Sequence, residues 1–143
     1  MTEQEIKEGI RKLLPELKYL LVENLLKRAL PEEDCLIAYY PLVKPGERYE
    51  LNLITRSRYI KIGLEQEIYF YKACYINRFT WMTERFLASE DNKNCIPIMT
   101  VEIFFDLQNE DFARLFLEAE TEDQQSLLKY FVKQFNIIAF KTG

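Results

Sequence analysis

Few groups in this 143-residue chain could carry chemistry. There is no histidine, which removes the commonest general base, nucleophile activator and metal ligand together. Cys35, Cys74 and Cys95 form no close pair. Three scattered thiols read as reduced, buried cysteines, and neither a zinc site nor an activated cysteine nucleophile is expected. Two carboxylate pairs, Glu65 with Glu67 and Glu118 with Glu120, have the i, i+2 spacing that turns both acids to one face of a strand. That arrangement suits glycoside chemistry or a divalent cation, and it equally describes a solvated face. The Gly-rich phosphate loops, the HExxH helix and the GxSxG elbow are all missing. No catalytic residue, metal or cofactor is therefore expected, and a small carboxylate enzyme stays only as an alternative to binding.

Binding chemistry has better candidates. Residues 44–61 carry Lys44, Arg48, Arg56, Arg58 and Lys61 against two acids, whereas residues 101–143 carry four basic side chains against eight acidic ones. The charge is thus polarised, and the basic hairpin could meet an anion or a lipid headgroup, although single cations on alternating strands also serve as an ordinary wet face. The formal net charge of −4 opposes a dedicated nucleic-acid binder. Tyr39, Tyr40, Tyr69, Tyr71, Tyr75, Phe79 and Trp81 are more than one face of a small barrel easily buries; most are expected as core or amphipathic cover, and a cluster of them left on the surface would mark a protein-binding patch.

Helices and strands must position these groups. Thr2 and Glu5 form a capping box, and Ile6, Ile10, Leu13 and Leu14 follow at helical spacing. Pro15 either kinks that helix or starts a second one, Glu16 to Leu30, which stops at Pro31. The second helix has a stripe of Tyr19, Val22, Leu25, Leu26, Ala29 and Leu30, with Leu17, Leu20 and Leu21 on its far side. A helix apolar on two sides must bury both, either within the domain or against a partner or a second copy. From Cys35 to Phe105 the period becomes two. Short strands at roughly ten-residue intervals, including the Lys44–Glu47 turn and the Tyr49, Leu51, Leu53 alternation, predict an antiparallel meander. A polar loop, Ser89 to Asn94, separates the last two of these strands. Phe112 to Glu120 satisfies both helical and strand spacing. Thr121 and Gln124 then cap an amphipathic helix with Leu127, Leu128, Phe131, Val132 and Phe135 on one stripe.

The run Leu53-Ile54-Thr55-Arg56-Ser57-Arg58-Tyr59-Ile60-Lys61-Ile62-Gly63 resembles the Thr-x-x-Arg-hydrophobic hairpin of bacterial pleckstrin-homology-like (PH-like) domains, and Glu118 to Asn136 resembles their last strand and capping helix. The resemblance spans roughly residues 34–137. It implies an α+β fold in which a bent barrel of seven strands is closed by a C-terminal helix, and it implies a strand at 112–120. On this reading residues 1–33 are a helical segment packed on a PH-like domain of residues 34–143. In family members that bind phosphoinositides the first hairpins receive the phosphates, and Lys44 and Arg48 flank the corresponding turn.

The expectation is a non-catalytic module that binds a protein or peptide partner, or itself, through Leu17, Leu20 and Leu21. A membrane-surface or phosphoinositide reader using Lys44, Arg48, Arg56, Arg58 and Lys61 is the alternative. The acidic start at Thr2 to Glu5 does not resemble a targeting peptide, no run approaches the roughly 18 apolar residues of a bilayer span, and a cytoplasmic location is expected.

Overall fold

Thr2 opens the first helix as expected: its hydroxyl accepts from the Glu5 amide at 3.2 Å while the Glu5 carboxylate accepts from the Thr2 amide at 3.3 Å. These and the following features come from a computed structural model that describes residues 1–76, 79–87, 97–105 and 114–141. Cys95, the Ser89–Asn94 loop and Phe112 lie outside the described residues, as does the side chain of Phe79. Helix α1 (Glu3–Leu13) ends because Pro15 forces Leu14 into extended backbone, at φ −104° and ψ 148°. Pro15 then occupies the N-cap of α2 (Glu16–Ala29), so the proline starts a second helix.

The strands β1 (Leu36–Lys44), β2 (Arg48–Thr55), β3 (Arg58–Leu64) and β4 (Tyr69–Tyr75) form one antiparallel meander in sequence order. Gly46 and Glu47 make the first turn with φ of +81° and +56°, and the absent side chain of Gly46 removes the strain at the first of these. Strands β5 (Phe79–Leu87), β6 (Ile98–Phe105) and β7 (Arg114–Ala119) form a second antiparallel sheet, and α3 (Glu122–Lys141) closes the chain. The fold is α+β, with helices at both ends of a strand meander. Among the described residues the strands make two sheets of four and three, not one continuous barrel. The sheets are joined by packing and by the Tyr40 hydroxyl, which donates to the Glu118 carbonyl at 2.6 Å.

Residues 114–119 are strand, with Leu115, Leu117 and Ala119 buried and Arg114, Phe116 and Glu118 outward. The helical spacing there was a coincidence of Leu and Phe positions. Pairing with β6, which sets Leu117 against Val101 and Leu115 against Ile103, buries the alternating set instead.

Sheet β1–β4 is covered on both faces. On one, Leu51, Leu53, Ile60, Ile62 and Leu64 pack under Ile6, Ile10 and Leu14 of α1 and Tyr19, Val22 and Leu26 of α2. On the other, Ala38, Tyr40, Ile54 and Tyr59 meet β6, β7 and the α3 stripe Leu128, Phe131, Val132 and Phe135. Tyr59 stacks on Phe105 with ring centroids 5.4 Å apart. Each large side chain so buried contributes about 1.5–3 kcal/mol, so both helical layers stabilise the same sheet.

A polar relay crosses the second core. The Tyr59 hydroxyl donates to Asn52 Oδ1 at 2.5 Å, and Asn52 Nδ2 donates to the Tyr40 carbonyl at 3.1 Å. Asn52 is fully buried, so replacing its amide with an apolar group removes both of these bonds from the core. We expect Asn52→Val to lower the unfolding free energy by about 2–3 kcal/mol in urea titration, and an unchanged midpoint would contradict this role.

The same burial sets a pH limit. Burial, then the charge of Glu118, pushes the Tyr40 phenol from 10.0 up to about 12, and burial pushes Tyr59 well above the same starting value. The fold prefers the neutral phenols, whereas the unfolded chain ionises from pH 10 upward. Their stabilisation is therefore complete below pH 10 and lost as pH rises toward 12. Unfolding free energies measured at pH 8, 10 and 11 should be level and then fall.

Candidate functional site

The five basic residues of the central hairpins do not converge. Lys44 and Arg48 pair across the first turn, while Arg56 and Arg58 lie beyond the other end of β2, about 24 Å away at the usual rise per strand residue. Arg58 is structural: it donates to the Ala29 carbonyl at 2.6 Å and lies 3.9 Å from Asp34. Asp34 also accepts from the Arg56 amide, which ties the β2–β3 turn to the segment leaving α2. Arg48 donates to the Pro45 carbonyl at 3.1 Å.

Lys44 and Lys61 share Glu50, at 2.7 and 3.8 Å. Register adds a cation that sequence reading passed over: Lys72 of β4 stands directly opposite Lys61, on the sheet face away from α1 and α2. Lys72 also lies over the Phe70 ring, 5.7 Å from its centroid. Phe70 in turn covers Gly63, where a β-carbon would meet the ring at 2.3 Å. Cys74 lines the same side of β4, and burial pushes its thiol up to about 12.

The two carboxylate pairs stand in different settings. Glu65 and Glu67 fall in the β3–β4 turn and not on a strand, so the same-face argument does not apply to them. They line an open cleft of about 490 Å³ with Pro45, Gly46, Arg48 and Ile68. Glu118 and Glu120 border a cleft of about 420 Å³ formed with Leu13, Tyr40, Leu42, Val43 and Leu127. Desolvation, then the hydrogen bond and charge of Glu120, raises the Glu118 carboxyl.

The far side of α2 exposes apolar side chains. Leu17 is 77% exposed and Leu20 48%, with Leu21 half-buried, so the chain's own fold does not cover the second apolar side. Helical periodicity orients this side. Glu23 lines a cleft with Glu3 and Lys7 of α1, so the opposite flank of α2, bearing Lys18, Leu21 and Leu25, faces β3 and β4. Lys18 sets the N-terminal end of α2 by the β1–β2 turn, donating to the Glu47 carbonyl at 2.8 Å and lying over the Tyr49 ring at 4.9 Å. Tyr49 pairs with Leu64, which pairs with Tyr69, so the N-terminal half of α2 lies toward the Tyr69–Tyr71 end of β4.

β4 alternates there. Tyr69, Tyr71, Ala73 and Tyr75 occupy its helix-side face and are exposed, Tyr75 by 63%. The molecule thus exposes leucines on the outer side of α2 and tyrosines on the helix-side face of β4. Of the other aromatics in the expected patch, Tyr40 is buried, Tyr39 is half-buried, and Trp81 is exposed on the separate sheet. The leucines were legible from helical spacing, whereas the tyrosines' place beside them depends on strand register, which sequence spacing alone does not encode.

No family model matches the chain, and no curated protein does. Among solved structures, the hSac2 domain from the human phosphoinositide phosphatase Sac2 is similar, with a TM-score of 0.55 and 14% identity over 90% of this chain and 84% of that one. At that identity the likeness is one of fold. No helix among the described residues is long and apolar enough to cross a membrane.

The placement of Cys74 is directly testable. Its raised thiol should resist alkylation by iodoacetamide at pH 8 in the folded protein and react once urea unfolds it, as followed by peptide mass spectrometry. Rapid modification of the native protein would contradict the burial.

Proposed function

We propose that the chain is a non-catalytic interaction module of PH-like architecture that docks a protein partner on the surface shared by α2 and β4. The observation that carries this reading is the exposure of Leu17 and Leu20 beside a half-buried Leu21, on a helix whose other side already fills a core. Leaving large apolar side chains in water forgoes their burial energy, and contiguous apolar surface of this kind characterises sites that another molecule covers. Tyrosine is also among the residues that carry most binding energy at protein interfaces. The PH-like assignment is supported by the order of elements: a four-strand meander, a three-strand sheet and a closing amphipathic helix.

A phosphoinositide reader draws on less. The similar human domain belongs to a phosphoinositide phosphatase, but here Lys44 and Lys61 already share Glu50, and Arg56 and Arg58 stand at the far end of β2.

A photo-crosslinking residue at position 20, expressed in the native host, should give a discrete adduct with a protein partner or a second copy. The same residue at the exposed position 33 should not. Leu17→Glu with Leu21→Glu should abolish the adduct while shifting stability by less than about 1 kcal/mol, since neither leucine belongs to the buried core. No adduct, together with a light-scattering mass equal to the 17.2 kDa monomer at all concentrations, would contradict the proposal.

A further inference from the structure

Resting on the docking surface just proposed, we infer that β4 is the edge to which a partner adds an extended, acidic strand. β4 is the last strand of its sheet, and among the described residues no strand pairs with its outer edge. Such an edge offers unpaired backbone donors and acceptors to an incoming chain. Its seven residues alternate without interruption, with the tyrosines and Ala73 on the α2 side and Phe70, Lys72 and Cys74 on the other.

Charge selects the occupant. Lys72, the central residue, faces Lys61 across the ladder, and like charges directly opposite destabilise a sheet. Glu50, the nearby acid, is engaged by Lys44 and Lys61, and among the described residues no carboxylate pairs with Lys72. A strand added beyond β4 would set one residue opposite Lys72. An acid there turns a repulsive row into Lys61, Lys72 and a carboxylate. The flanking positions of the same strand would meet Tyr71 and Ala73 on the α2 side, where apolar residues are favoured.

The same lysine argues against a second copy. Full-length antiparallel pairing of β4 with itself is isologous and centres on Lys72, so it would oppose Lys72 to its own counterpart. An inward-facing lysine at the middle of an edge strand is a known device against such pairing. The partner is therefore a different chain, or a different segment, that carries an acid between apolar residues.

The probe is a capped seven-residue peptide alternating valine and threonine with glutamate at its centre, compared with the same peptide carrying lysine there. Added to the ¹⁵N-labelled full chain, the glutamate peptide should shift and protect the amides of Tyr69–Tyr75, and the lysine peptide should bind about five-fold more weakly. Lys72→Glu should invert that preference. Lys72→Gln should abolish it while retaining binding, which guards against loss of fold as the explanation, and a far-UV spectrum checks both variants. Equal response to the two peptides, or shifts away from β4, would overturn the inference. So would a response at Lys61 and Lys72 to phosphatidylserine vesicles when neither peptide binds. Failure of the peptides with the position-20 adduct intact would sink the added strand alone, whereas loss of both would sink the docking surface as well.

Discussion

Sheet β1–β4 has no wet face over its middle, because two helices cover one side and a second sheet with α3 covers the other. Every polar group placed there must find an internal partner, since an unpaired one costs about 1–3 kcal/mol. The chain meets that demand with Asn52, whose amide accepts from Tyr59 and donates to the Tyr40 carbonyl, and with the Tyr40 hydroxyl, which reaches across to β7. One asparagine thereby links β1, β2 and β3, and one tyrosine links the two sheets. Polar groups held this way fix register as well as energy, because a one-residue slip would turn Asn52 toward Leu51's side of the sheet.

Register, in turn, decides where function can reside. With β2 and β3 aligned by the core, β4 is set so that its tyrosines share a face with Ile60, Ile62 and Leu64, and its lysine shares one with Lys61. On that first face α1 lies over β1 and α2 over β3 and β4, and the outward leucines of α2 and the tyrosines of β4 stay exposed. The basic residues fare differently: pairing draws Lys44 and Lys61 onto Glu50 and Arg58 onto Asp34, and this spends their charge on the fold.

Local signals were read well from sequence wherever the physics is local. Both capping boxes form, with Gln124 accepting from Thr121 and Thr121 accepting from Gln124. The Lys44–Glu47 turn also appears where expected, whereas the strand of Tyr49, Leu51 and Leu53, which the alternation reads as half-buried, is buried on both faces from Leu51 to Thr55 because the second sheet covers its other side. Residues 114–119 were ambiguous because leucine and phenylalanine spacing satisfied two periods, and only pairing with β6 decides between them. The leucine side of α2 was visible because helical period needs no partner to be read. Lys72 and the β4 tyrosines were not placed, since their neighbours come from other strands and from a helix some fifty residues earlier in the chain. The basic hairpin looked like one site because Arg48 and Arg56 are close in sequence, yet an extended strand keeps them far apart.

The central claim is that the chain's own fold leaves the α2–β4 surface open. Broadening of side-chain NMR signals by a soluble nitroxide measures that directly in the isolated protein. The Leu17 and Leu20 methyls and the Tyr71 and Tyr75 rings should broaden strongly, while Leu26, Ile60 and Ile62 remain sharp. Protection of Leu17 and Leu20 in a protein shown to be monomeric would mean that the chain covers this surface itself, and the account would fail.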